Sequence, residues 1–209
     1  MKSSTALYQL KNYPEIFLGS NLVKITGTKK TGIMGYQFGT YTMNMGASGD
    51  DKPNELFAFD PNGTFIEDPQ TTKVHHIRMI DWDEDLSLDR IEPYQMRSGA
   101  DIMITGQLSD CCFCIGGHNA NMPVVAHIRP RKKQGLNGLA THNAIINRGK
   151  FWVFGGVQKS LGRSALKPHH HAYTDYASVI GVRVKNQWQI YSQHLKTPKG
   201  PIQAVTRLL

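Results

Sequence analysis

At 209 residues, with 40% apolar and 19% charged residues, the chain has the composition of a folded domain and not of a disordered or fibrous protein. No run approaches the roughly 18 apolar residues of a membrane span, and the stretch MKSSTALYQLKNYPEIFLGS lacks the apolar core of a secretory signal. Three cysteines packed between positions 111 and 114 exclude a disulfide framework and fit a reducing compartment.

In chain order, Leu7 to Leu18 predicts one short helix broken at Pro14. Leu22 to Thr26 alternates like a strand, Gly27 to Gly32 turns, and Ile33 to Met45 alternates again, so the two runs predict a hairpin. Gly27 to Gly32 lacks the Gly-Lys-Ser/Thr that cradles phosphate and magnesium. A polar loop follows from Ala47 to Asn54. Leu56 to Phe59 and Thr64 to Ile66, joined by Asp60-Pro61-Asn62-Gly63, predict the clearest hairpin. Lys73 to Ile80 predicts one strand, and the acidic stretch Asp81 to Asp89 a solvated loop or short helix.

Ile102 to Ile104 is a short apolar run closed by Thr105-Gly106. Cys111 to Ile115 and Pro123 to Ile128 are two more, on either side of the turn-like cluster Gly116 to Asn121. Thr141 to Arg148 predicts a helical turn, Lys150 to Phe154 a strand, and Gly155 to Tyr173 a long irregular connection. Ser178 to Val184 and Trp188 to Ser192 predict a last hairpin turning at Lys185-Asn186-Gln187. No internal repeat or linker divides the chain. The expected fold is a single domain over residues 1–209, mostly β or α+β: a β-sandwich of antiparallel hairpins with a few flanking helices and long loops.

The stretch from Thr105 to His127 carries the chemistry. A hairpin centred on Asn119 opposes Cys111 to His127, and directly opposed residues share a face with Cβ atoms roughly 4.5–5.5 Å apart. A free thiol with a pKa of about 8.5 is a weak nucleophile at neutral pH, and a neighbouring imidazole that takes its proton makes it a strong one. Cys112 points to the opposite face, Cys114 is expected on the face of Cys111 but deeper, and His118 lies at the turn tip. The bland alternative is a buried strand with small polarizable cysteines and a satisfied histidine. A slip of one residue in register would separate the pair.

The pattern Thr105-Gly106-x-Leu108-Ser109-x-Cys111, followed by His127, resembles the cysteine deamidases typified by the cytotoxic necrotizing factors, Burkholderia lethal factor and the chemoreceptor deamidases. The resemblance implies a similar β core and a glutamine deamidase, a bacterial toxin or effector, with Cys111 as nucleophile, His127 as its partner and Thr105 orienting the imidazole. A backbone N–H of Cys111, or of a neighbour in the Ser109-Asp110 loop, would form the oxyanion hole. Asp110 stands where the family usually has glycine. Aspartate is among the better substitutes if that position needs φ > 0, and its carboxylate is expected to raise the thiol pKa.

The other features have plainer readings. His169-His170-His171 is read as a solvated loop, because sequence neighbours point in different directions. Cys111, Cys112, Cys114 and His118 lack the usual C-x₂-C spacing of zinc sites, so no metal and no cofactor is expected. No nucleic-acid motif accompanies the net charge of +8 or the basic run Arg129 to Lys133. The charge is read as steering toward an acidic protein partner or as solubilising, and the expected partner is a protein substrate, not a membrane. The location expected is the cytoplasm, or a host or target cell reached without a signal peptide. A thiol protease or transglutaminase using the same pair, and a non-catalytic basic binding protein, stay open beside the deamidase.

Overall fold

A computed structural model describes residues 1–26, 30–41, 56–82, 91–130, 154–160 and 170–209. It opens with two short helices, α1 (Ser3–Asn12) and α2 (Pro14–Ser20). Pro14 occupies the first turn of α2, where its missing N–H costs nothing, and the chain bends at Tyr13 instead of continuing one helix. One sheet contains eight strands: β1 (Leu22–Ile25), β2 (Gly32–Thr40), β3 (Leu56–Asp60), β4 (Gln70–Ile77), β7 (Ile102–Thr105), β12 (Tyr176–Val184), β13 (Gln187–Leu195) and β14 (Ile202–Arg207). Their spatial order is β1-β3-β2-β4-β7-β12-β13-β14. The other sheet comprises β5 (Met79–Trp82), β6 (Tyr94–Gln95), β8 (Cys112–Gly116), β9 (Val124–Pro130), β10 (Gly155–Lys159) and β11 (His170–Tyr173). It is ordered β11-β10-β8-β9-β5, with β6 also paired to β9.

Side-chain alternation divides these elements into three layers. Ile102 and Ile104 of β7, with Ile180 and Val182 of β12, join Phe38 and Phe57 in a core against Ala6, Leu10, Phe17 and Leu18 of the helices. The next residues along the same strands, Met103, Ala177 and Val179, join a second core with Phe113 and Ile115 of β8, Val125 of β9 and Val157 of β10. The eight-stranded sheet is therefore covered by helices on one face and by the smaller sheet on the other. A Cβ on Gly156 would collide with the Phe113 carbonyl oxygen, so β10 lies as close to β8 as only glycine permits.

The mostly-β class expected from the sequence holds, with a mixed topology in place of hairpins alone. β1 pairs with β3 in parallel and not with β2, and β4·β7, β5·β9 and β10·β11 are parallel as well. The expected hairpin of Leu22–Thr26 with Ile33–Met45 is thus absent. Residues 64–66 form no strand, so the hairpin at Asp60–Gly63 is absent too. Asp60 instead caps that turn by accepting the Asn62 N–H. The last hairpin is present, and its turn is tight because Lys185 (φ 47°) and Asn186 (φ 66°) both adopt left-handed backbone. Gly155 to Lys159 and His170 to Tyr173 are strands where an irregular connection was expected. The expectations for Ala47–Asn54, most of Asp81–Asp89, Arg131-Lys132-Lys133, Thr141–Arg148, the strand Lys150 to Phe154 except its last residue, and His169 lie outside the described residues.

One departure organises the site. Lys73 to Ile80 is not a single strand: β4 ends at Ile77 in the large sheet, and β5 begins at Met79 in the small one. The exposed Arg78 marks the corner.

Candidate active site

Thr105 ends β7 on the face that looks toward the small sheet, and His127 lies in β9 of that sheet. The Thr105 hydroxyl oxygen is 2.6 Å from His127 Nδ1, a hydrogen bond that runs from one sheet to the other, as the 2.9 Å bond between His75 Nδ1 and the Tyr94 hydroxyl also does. The hydroxyl has a single proton, and the Ile77 carbonyl oxygen, 2.7 Å away, can only accept it. His127 Nδ1 must then be the donor to Thr105. The imidazole is fixed as the tautomer whose Nε2 carries a lone pair. Nε2 is buried and has no hydrogen-bond partner among the described residues. That leaves a buried acceptor unsatisfied in a fold that pairs most such groups.

Cys111 lies one residue before β8 in the buried core between the sheets, 3% exposed. The β8–β9 hairpin is centred on Ala120, one residue later than expected, so His127 faces Phe113 directly. Continuing that register would oppose Cys111 to Arg129, which puts His127 on the same face one rung away, the diagonal neighbour. The Cys111 sulfur makes its contact with Met79 Sδ, 3.7 Å away, and Met79 is the β5 residue in register with His127. The thiol and the imidazole therefore flank the same methionine and are not hydrogen-bonded to each other. The Tyr173 hydroxyl donates to the Cys111 carbonyl oxygen at 2.8 Å and holds that peptide in place. The backbone N–H groups of Ser109 and Asp110, both exposed residues, interact with the Cys111 sulfur and favour its negative form. Asp110 is not among the residues with positive φ, so the aspartate carries no backbone strain there.

Burial, with Cys112 close by, pushes the Cys111 thiol up to about 12 against the opposing pull of the Ser109 and Asp110 N–H groups and Arg129. Burial, not the Asp110 carboxylate, is the cause. Burial likewise pushes His127 down to about 3, helped by His76. At neutral pH the pair rests as thiol and imidazole, not as the ion pair that the sequence suggested, and the thiol is buried. These shifts predict the pH range of stability. An unfolded chain protonates His127 below pH 6.5 while the folded chain resists until about 3. Stability should therefore fall as pH drops below 6.5, by up to about 1.4 kcal/mol per pH unit from this group. His75, His76 and His194 are shifted in the same direction by burial and add to the fall. An unfolded thiol ionises above pH 9.0 and the folded Cys111 does not until about 12, so stability should decline again above 9. Urea unfolding followed across pH checks both limbs, and a midpoint unchanged between pH 6 and 4 contradicts this account.

Cys112 and Cys114 share the other face of β8, with sulfurs 4.0 Å apart, which corrects the placement of Cys114 beside Cys111. Positions two apart on a strand share a face and positions three apart do not. His118 is exposed at the turn, away from both sets, and no group of three metal-ligating side chains converges among the described residues. His170 and His171 belong to β11, not to a solvated loop. Cys112→Ser should lower stability by about 1–3 kcal/mol, because a hydroxyl would be buried where the thiol is fully enclosed. Activity per folded molecule should survive, since Cys112 faces away from His127; measuring both on one preparation checks the strand register.

Ile77 and Met79 are site residues that the sequence did not reveal. They were hidden because KVHHIRMI looks like one strand, and the signal was the charged Arg78 inside an otherwise apolar run. No family model matches the chain, and no curated protein matches it.

Proposed function

We propose that the chain is a cysteine-dependent protein-glutamine deamidase, similar to the cytotoxic necrotizing factor group, with Cys111 as nucleophile, His127 as base and Thr105 as the residue that sets its tautomer. The observation that carries this reading is the commitment of the Thr105 proton to Ile77, which leaves the Nε2 lone pair of His127 free on the face of Cys111. In the reaction, the Cys111 sulfur attacks the carboxamide carbon as Nε2 takes the thiol proton. The oxygen's negative charge is received by backbone N–H groups of the Ser109–Cys111 loop. His127 then returns its proton to the departing nitrogen, and ammonia leaves a thioester. Water, deprotonated by the same Nε2, attacks the thioester and releases glutamate and the thiol. Because both resting partners are neutral, proton transfer accompanies attack and does not precede it.

A non-catalytic binding protein is favoured by one observation, the burial of the thiol against Met79. The two readings separate when the chain is incubated with a bacterial or eukaryotic lysate and the peptides are searched by mass for Gln-to-Glu conversion. New glutamates at defined positions support the deamidase, and an unchanged peptide map overturns it. Repeating the incubation with a biotinylated primary amine distinguishes hydrolysis from transglutamination.

A further inference from the structure

We infer that Met79 occupies the place of the substrate's glutamine side chain, closing the site when empty and setting its selectivity for glutamine over asparagine; this rests on the deamidase reading above. Met79 is 38% exposed, whereas Cys111 and His127 are 3% and 1% exposed. Its Sδ lies 3.7 Å from the Cys111 sulfur, and its Cα is in register with His127. A group approaching from solvent thus meets the thioether before either reactive side chain. Methionine and glutamine both begin with two methylene groups before the third side-chain heavy atom. In methionine that atom is Sδ, and in glutamine it is the carboxamide carbon. Met79 therefore sets its Sδ close to where an incoming carboxamide carbon must lie, slightly beyond the roughly 3–3.5 Å separation of reacting atoms. Asparagine is one methylene shorter, so from the same backbone position its carbon would fall short of the sulfur.

The corner at Arg78 makes this arrangement possible. Ile77, the last residue of β4, accepts the Thr105 proton through its carbonyl, and Met79, the first of β5, covers the thiol. The same three residues orient the base and close the nucleophile. Methionine has the rotatable bonds to swing aside at little energetic expense, and its exposed position leaves it room to do so.

Two variants test this. Met79→Ala should raise the rate of iodoacetamide labelling at Cys111 by about tenfold or more, since labelling follows the population in which the thiol is uncovered. Cys112 and Cys114 should stay unreactive until urea is added. Met79→Gln should place a carboxamide at the nucleophile, so the purified chain should convert the introduced glutamine to glutamate. The conversion should be seen as a mass shift in the peptide containing position 79, and it should be absent when Cys111→Ser is combined with it. Met79→Asn should remain intact. Cys111 labelling at the wild-type rate in Met79→Ala would overturn the role of Met79. Faster labelling together with an introduced glutamine that stays unchanged would retain Met79 as the cover and overturn the deamidase reading instead.

Discussion

Cys111→Ser is expected to abolish glutamine deamidation, by at least roughly 10³-fold, while the chain stays folded. Serine is close to cysteine in size, and the Ser109 and Asp110 N–H groups that interact with the sulfur can donate to a hydroxyl instead. Stability should therefore change by no more than about 1 kcal/mol, although Cys111 belongs to the core between the sheets. The loss of rate has another origin. A serine hydroxyl is far harder to deprotonate than a thiol, and the imidazole beside it is itself made a weak base by burial. Cys111→Ala tests the same point without a hydroxyl, and both variants should keep the wild-type urea midpoint within that margin.

His127→Gln is the second large effect, with an expected loss of about 10²–10⁴-fold, the usual contribution of a general base. The glutamine amide can still donate to the Thr105 hydroxyl, so the bond between the sheets has a replacement and the fold should persist. Its oxygen cannot hold a proton at neutral pH, so nothing receives the thiol proton during attack. Combined with Cys111→Ser, the loss should not deepen, because the two groups act in one step. Activity assays of the two single variants and the double variant check this, and additive losses would show that His127 does something separate from Cys111.

Much of the site was legible because its logic is local. Thr105, Cys111 and His127 sit within one short stretch, and alternation along β8 and β9 puts His127 and Cys111 on one face under either the expected or the observed register, since the two pairings differ by two residues. The Thr105–His127 bond followed from the resemblance and is present at 2.6 Å. What the sequence could not convey is which sheet each strand joins. The pairs β1·β3, β4·β7 and β5·β9 are parallel and non-local, and no turn residue records them. The corner between Ile77 and Met79 was missed for that reason, and with it the carbonyl that fixes the tautomer and the thioether over the thiol. The burial of Cys111 was not legible either, because the hairpin packs its inner face on Met103, Val179 and Ile190 of the other sheet, strands far away in sequence.

The central claim, that Cys111 takes a protein glutamine through a thioester to glutamate, is tested most directly by peptide mass mapping of a lysate incubated in heavy-oxygen water. The wild-type chain should produce glutamates at former glutamine positions, each carrying one heavy oxygen from the water that opened the thioester, and Cys111→Ser should produce none. The same heavy-oxygen glutamates appearing with Cys111→Ser would contradict the account.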